Sequence, residues 1–283
     1  MRVLLTNDDG VAANGLATLA RALVDWTKEA PANVVRDVLI VAPNRNFSGM
    51  SSAVGDVFER PTVGYRRHRI DGAESFVAYG LDASPALCVI LGALGSFNFR
   101  PDLVVSGINA GANVGRSVLH SGTIGAVLTG AQFGLSGLAV SVQWGENVHY
   151  DTAAYLAVRV LSELEEAPTP TLLNLNVPNL TREQLRGIRR GRISSAGVVA
   201  AAGPLAGGDD LGEEGTLPLR LGAATPRLGD VRDEAEDDDG ALLAAGFASL
   251  TALRGPHEDV DGGAQQLLER AMELLGRELR QAD

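Results

Sequence analysis

The chain has 283 residues, 45% of them hydrophobic and 21% charged, the balance of a soluble globular protein and enough length for one or two domains. Its net charge of −11 is concentrated: Asp209–Asp239 holds eleven acids against three arginines, −8 in all, which leaves the remainder near balance at −3. That distribution excludes a basic duplex-binding surface, and the single cysteine, Cys88, excludes an internal disulfide and a cysteine-built zinc cage.

The first element is the apolar run "RVLL", a strand that must end where Asn7-Asp8-Asp9-Gly10 begins. Leu16, Leu19, Leu23 and Trp26 then recur at helical spacing. "DVLIVAP" is a near-continuous apolar run closed by Pro43, as a buried parallel strand requires. "ASPALCVILGAL" predicts a helix whose first turn takes Pro85. "PDLVVSG" predicts a strand, "TIGAVLTGAQFG" a helix and "LAVSVQW" a strand. Asp151–Glu166 predicts a helix with Tyr155, Leu156, Val158 and Leu161 available for burial, and "TLLNLNVP" another strand.

No Asp, Glu, Lys or Arg falls between Arg116 and Glu146, a length that could span a membrane. Glycines at 122, 125, 130, 134 and 137, with His120, Gln132 and several hydroxyls, favour a buried helix, a turn and a buried strand instead. The run before Asp8 is too short for the apolar core of a signal peptide. With the lone cysteine, this points to the reducing cytoplasm.

The alternation of strand and helix predicts an α/β fold, a parallel sheet covered by helices on both faces. After about Arg192 the rhythm stops. Residues 195–240 are rich in Gly, Ala and acids, and "RDEAEDDDG" reads as a solvated loop with no catalytic role. Gly263–Gln281 recovers a helical stripe of Leu267, Leu268, Met272, Leu275 and Leu279. The expected organisation is an α/β domain over 1–194 and an extension over 195–283 that carries the acidic loop and a terminal amphipathic helix.

In open parallel sheets ligands bind beyond the carboxyl ends of the strands. Three loops should meet there: Asn7-Asp8-Asp9-Gly10, "NRNFSG" with Ser48 and Gly49, and "SGINAGANVG" with Ser106, Asn109 and Asn113. Their carboxylates, hydroxyls and amides are hard oxygen donors, suited to Mg²⁺, Mn²⁺ or Ca²⁺ rather than zinc. The plain alternative for Asn7–Gly10 is a solvated turn. "HSGTIGAVLTG" puts Ser121, Gly122 and Thr123 at a helix start, where free N–H groups accept either a phosphate or an ordinary cap. No P-loop, dinucleotide fingerprint or nucleophile elbow is present.

"LLTNDDGVAANGL", "VAPNRNFSG", "VVSGINAGANVG", "SGTIGA", "LLNLNVP" and "GFASLTAL", in this order over Met1 to Leu253, resemble the SurE family of stationary-phase survival proteins, metal-dependent 5′/3′-nucleotidases. The resemblance implies a Rossmann-like three-layer core and a C-terminal extension that joins subunits into a homodimer or homotetramer. It implies removal of phosphate from nucleoside 5′- and 3′-monophosphates, with short polyphosphate as a further substrate in some members. One divalent cation per subunit is implied, Mg²⁺ or Mn²⁺ before Ca²⁺, with Asp8, Asp9, Ser48 and Asn109 as ligands. Asp8, Asp9 and Asn109 are the implied catalytic residues, and Asn113, Ser121, Gly122 and Thr123 the implied phosphate contacts.

The chain departs from the family pattern at Asn44 and Phe47, which replace an acid and a base, and at Leu87, which replaces an Asp. His120 stands where tyrosine is usual, as a leaving-group acid or a loop residue, and "GFASLTAL" lacks the usual tyrosine and proline. Two other readings stay open: the same chemistry on a non-nucleotide phosphomonoester, and a catalytically silent metal- and nucleotide-binding protein.

Overall fold

A computed structural model of the chain describes residues 1–31, 34–57, 59–194, 197–201, 219–224, 236–256 and 272. One compact unit spans Met1–Leu253, and a second, Arg254–Asp283, contains the predicted terminal helix, of which only Met272 is described.

The opening run forms β1 (Arg2–Thr6), buried on both faces: Val3 and Leu5 pack into one apolar layer and Leu4 into the other. α1 (Asn14–Lys28) follows, with Leu16, Leu19, Leu23 and Trp26 all buried. Then come β2 (Asp37–Pro43), β3 (Tyr65–His68), β4 (Val77–Leu81) and α2 (Pro85–Ala93). Pro85 occupies the first turn of α2, and the Ser84 hydroxyl caps it by accepting from the Leu87 N–H at 3.2 Å.

β5 (Leu103–Ala110) comes next, and the uncharged stretch then forms α3 (Gly122–Ala131), a buried helix, and β6 (Ser136–Val142), a fully buried strand. No helix among the described residues is long and apolar enough to cross a membrane. α4 (Tyr150–Leu164) and β7 (Leu172–Val177) follow. Of the residues expected on the buried face of α4, Leu161 is buried, Leu156 and Val158 pack partly buried against the core, and Tyr155 departs. Thr152, Ala153, Ala154, Ala157, Val160, Leu161 and Leu164 are buried, while Tyr155 is exposed under the guanidinium groups of Arg159 and Arg182. Small residues let the helix approach the sheet closely, and cation–π contacts hold the ring outside.

β8 (Ile188–Arg190), β9 (Gly197–Ala201), β10 (Leu219–Ala224), α5 (Asp239–Ala244) and β11 (Ala248–Leu253) end the described chain. The main sheet has nine strands in the order β3-β4-β2-β1-β5-β6-β7-β11-β8, and β9 pairs with β10 in a separate antiparallel ribbon. Strands β4 through β7 in that order are parallel. The expectation of a wholly parallel sheet is corrected at the flanks: β3 runs antiparallel to β4 and β11 antiparallel to β7. β3 reaches β4 through a short connection without a helix, as an antiparallel pair allows. β11 joins the main sheet from within the segment assigned by sequence to the extension.

α1 and α4 pack together over one face and α2 and α3 over the other, giving a three-layer core. The strand order reverses direction about β1, so the loops after β1, β2 and β5 share one rim at a switch point.

Candidate functional site

The turn after β1 is fixed before any ligand is considered. Asn7 donates its side-chain amide to the Gly10 carbonyl at 2.9 Å and accepts the Gly10 N–H at 3.2 Å. Gly10 has φ +108°, and the Val11 N–H donates to the Pro43 carbonyl at 2.7 Å, tying this turn to the end of β2. The Phe47 N–H donates to the Asp8 carbonyl at 2.7 Å, so the loop after β2 closes over the turn.

Asp8 is buried, and the Thr123 hydroxyl donates to its Oδ1 at 2.7 Å. The main-chain N–H groups of Gly122 and Thr123 also act on this carboxylate. The N-terminal end of α3 therefore faces Asp8. A Cβ at residue 122 would lie 2.7 Å from Asp8 Cβ and 2.9 Å from its Oδ2, so this approach requires glycine. Asp9 is half-buried; Asn46 donates to its Oδ1 at 3.1 Å and the Ala110 N–H to its Oδ2 at 3.4 Å. Loops after β1, β2 and β5 and the start of α3 are thus joined through two carboxylates.

Burial raises the Asp8 carboxyl above its ordinary range despite the Thr123 and Gly122 donors, because desolvation outweighs them. Burial, and then the neighbouring Asp8 charge, push Asp9 up to about 6. Among the described residues no Lys, Arg or His side chain forms an ion pair with either. A buried acid beside a half-buried one, without a positive partner, is a costly arrangement that a bound cation relieves.

The other expected ligands lie on the same loops. Ser48 is exposed, and its N–H donates to Asn46 Oδ1 at 2.8 Å, placing it one step from the side chain that holds Asp9. Asn109 follows a register shift in β5 between Ser106 and Asn109, an irregularity of the kind that re-aims a side chain. Its Nδ2 donates to the Gly111 carbonyl at 2.6 Å, which leaves Oδ1 as an acceptor. No group of three His, Cys, Asp or Glu side chains gathers among the described residues, so a cation here draws on amide and hydroxyl oxygens as well. That donor set fits a hard divalent ion.

The residues expected to contact phosphate divide. Ser121 is buried and caps α3, its hydroxyl accepting the Ile124 N–H at 3.2 Å, while Gly122 and Thr123 face Asp8. Asn113 gives one amide N–H to the chain itself: Nδ2 donates to Ser141 Oγ at 2.8 Å. Its N–H donates to Asn176 Oδ1, and its carbonyl accepts from both Asn174 and Asn176. His120 is exposed, and its carbonyl accepts the Ser51 N–H at 3.3 Å.

Two supporting residues escape sequence reasoning. Asn46 carries the weak signal of an amide two positions before Ser48. Asp239 carries none, being the last acid of an acidic run. The reading of that run as solvated holds for Glu236 and Asp237, which are exposed, and is corrected at Asp239, which is fully buried and accepts the Gly115 N–H on both oxygens, at 3.1 and 3.0 Å, and the N–H groups of Ser194 and Gly240. Donors converging from separate loops make an acid the right residue at that place.

The family model for survival protein SurE matches residues 3–199. The chain is 38% identical over 279 residues to a protein of Edwardsiella ictaluri named 5′/3′-nucleotidase SurE, covering 98% of this chain and 97% of that one. It is 35% identical over 261 residues to 5′-nucleotidase SurE of Nitrosococcus oceani, covering 90% and 91%. Among solved structures it is similar to the SurE protein from Aquifex aeolicus, with a TM-score of 0.71 and 27% identity over 96% of this chain and 99% of that one.

Proposed function

The chain belongs to the SurE family, and we propose that it is a metal-dependent phosphomonoesterase that removes phosphate from nucleoside 5′- and 3′-monophosphates. The observation that carries this reading is the Asp8–Asp9 pair, without a cationic side-chain partner among the described residues, at the meeting point of three strand-end loops. The names of the relatives, which are nucleotidases, support the substrate class.

Asp8, Asp9, Ser48 and Asn109 would hold one divalent cation per subunit, Mg²⁺ or Mn²⁺ in preference to Ca²⁺. Such an ion, when bound, polarises a phosphoryl oxygen and makes a water nucleophilic near neutral pH. Asp8 is the fixed member of the pair, oriented by the Thr123 hydroxyl. Asp9, the more open of the two, accepts the proton of the attacking water. The start of α3, with Ser121, Gly122 and Thr123, adds positive potential where charge gathers on the phosphoryl oxygens. Asn113 gives one amide N–H to Ser141, which holds the loop, and keeps the second N–H as a donor for a phosphate oxygen.

Residues 1–194 carry the catalytic loops in this reading, and the extension over 195–283 supplies subunit contacts of a homodimer or homotetramer in the cytoplasm. The test is phosphate release from metal-stripped protein on nucleoside 5′- and 3′-monophosphates, sugar phosphates and short polyphosphate, with Mg²⁺, Mn²⁺ or Ca²⁺ restored singly. Release from nucleotides that requires the cation is expected. Release from other phosphates alone would overturn the substrate, and silence throughout would leave a binding protein.

A further inference from the structure

A cavity of about 600 Å³ lies between the start of α1 and the segment that joins β6 to α4. Asn14, Arg21, Trp144, Glu146, His149 and Tyr150 are among its walls. Its volume is that of a small-molecule site. Both bordering helices begin at the rim where the β1, β2 and β5 loops end, and Tyr150 is the first residue of α4. Gly15 brings the two sides together, since a Cβ there would lie 2.0 Å from the Ile108 carbonyl oxygen and 3.1 Å from Tyr150 Cε1. Burial and then the Asp9 charge raise the Tyr150 phenol, so the tyrosine lies within electrostatic reach of that carboxylate.

The segment is built to hold its form. Gln143 N–H donates to the Val177 carbonyl at 2.8 Å, and Asn179 accepts the His149 N–H at 2.8 Å while donating to the Asn147 carbonyl at 3.0 Å. On it stands Trp144, 73% exposed, with its indole uncovered by the rest of the subunit. Two other cavities are placed differently. One, lined by Tyr65, Tyr79 and Phe97, lies on the α2 face of the sheet, and another, lined by Met1, Leu103 and Ser136, lies at the opposite, amino ends of the strands.

We propose that this cavity binds the nucleoside of the substrate, with Trp144 stacking on the base and Tyr150 between the base and the carboxylates. The inference rests on the nucleotidase reading and adds the residues that separate a nucleotide from a plain sugar phosphate. An aromatic face accepts any base, because every base has a π surface. This predicts broad base tolerance together with preference for a nucleoside over a bare ribose.

The test compares AMP with ribose 5-phosphate, with Mn²⁺ present, for wild type, Trp144→Ala and Trp144→Phe. The expected result is that the ratio of kcat/KM for AMP to that for ribose 5-phosphate falls about tenfold or more in Trp144→Ala and is largely restored by phenylalanine. An unchanged ratio overturns the proposal, also where light scattering shows that the substitution alters subunit assembly, which would make Trp144 a contact between copies. If wild type releases no phosphate from AMP, adenosine titration decides separately. The chain has two tryptophans and Trp26 is buried, so saturable quenching that disappears in Trp144→Phe upholds the nucleoside site while the nucleotidase reading fails. Absence of such quenching then overturns both.

Discussion

The Thr123 hydroxyl donates to Asp8 Oδ1 at 2.7 Å, joining the first turn of α3 to the turn after β1 across 115 residues of sequence. A buried carboxylate is thereby given one orientation beside the start of α3. Thr123→Val keeps the volume and removes the donor. Metal affinity and kcat/KM are expected to fall about 10–100-fold with the fold retained. Thr123→Ser should restore most of the loss, and metal titration of both variants checks it.

Gly122→Ala separates helix propensity from site geometry. In an ordinary helix the change stabilises by about 1 kcal/mol. Here the new Cβ would meet Asp8 Cβ at 2.7 Å, so the carboxylate must move. The expected outcome is no gain in thermal stability and a marked loss of metal binding, read by calorimetry on the same sample. A more stable variant with normal metal affinity would contradict the packing.

Asp239→Asn turns an amide N–H₂ toward some of the three N–H groups that the carboxylate now accepts, at an expected cost of about 1–3 kcal/mol. Burial raises the Asp239 carboxyl above its ordinary 3.8. The folded state then binds more protons than the unfolded one between 3.8 and the raised value, so wild type loses stability as pH rises through that window. The asparagine variant has no such titration. The stability gap between the two should narrow as pH increases from about 4, measured by urea unfolding, and a widening gap would show the anion to be the preferred buried form.

The strand ends that make the site were legible from residue type. β1, β2, β5, β6 and β7 are apolar runs with polar or glycine-rich loops after them, and such runs have few other uses. The edges were not. β3 reads Tyr65-Arg66-Arg67-His68, three of its residues exposed, and its strand state comes from pairing with β4 rather than from its own pattern. The supports of the site were equally hidden. Asp239 is distinguished from Asp237 and Asp238 only by the long-range N–H groups it meets, and the amide of Asn113 turns to Ser141 because Asn174 and Asn176 hold its main chain. The stripe Leu267, Leu268, Met272, Leu275 lies outside the described residues except for Met272.

That stripe has its own test. A chain ending before Gly262 should give a smaller particle by light scattering than the full chain, because the proposed subunit contacts are removed. A stable particle with an unchanged number of subunits would place the contacts elsewhere.

The central claim is that Asp8 and Asp9 stand together to hold a hard divalent cation. Calorimetric titration of Mn²⁺ into metal-stripped wild type, Asp8→Asn and Asp9→Asn tests it most directly. Wild type should bind one ion and gain thermal stability by mass action, about 2.7 kcal/mol at a hundredfold excess over Kd. Each variant should remain folded, bind far more weakly and lose the stabilisation. Wild-type affinity in either variant would contradict the site.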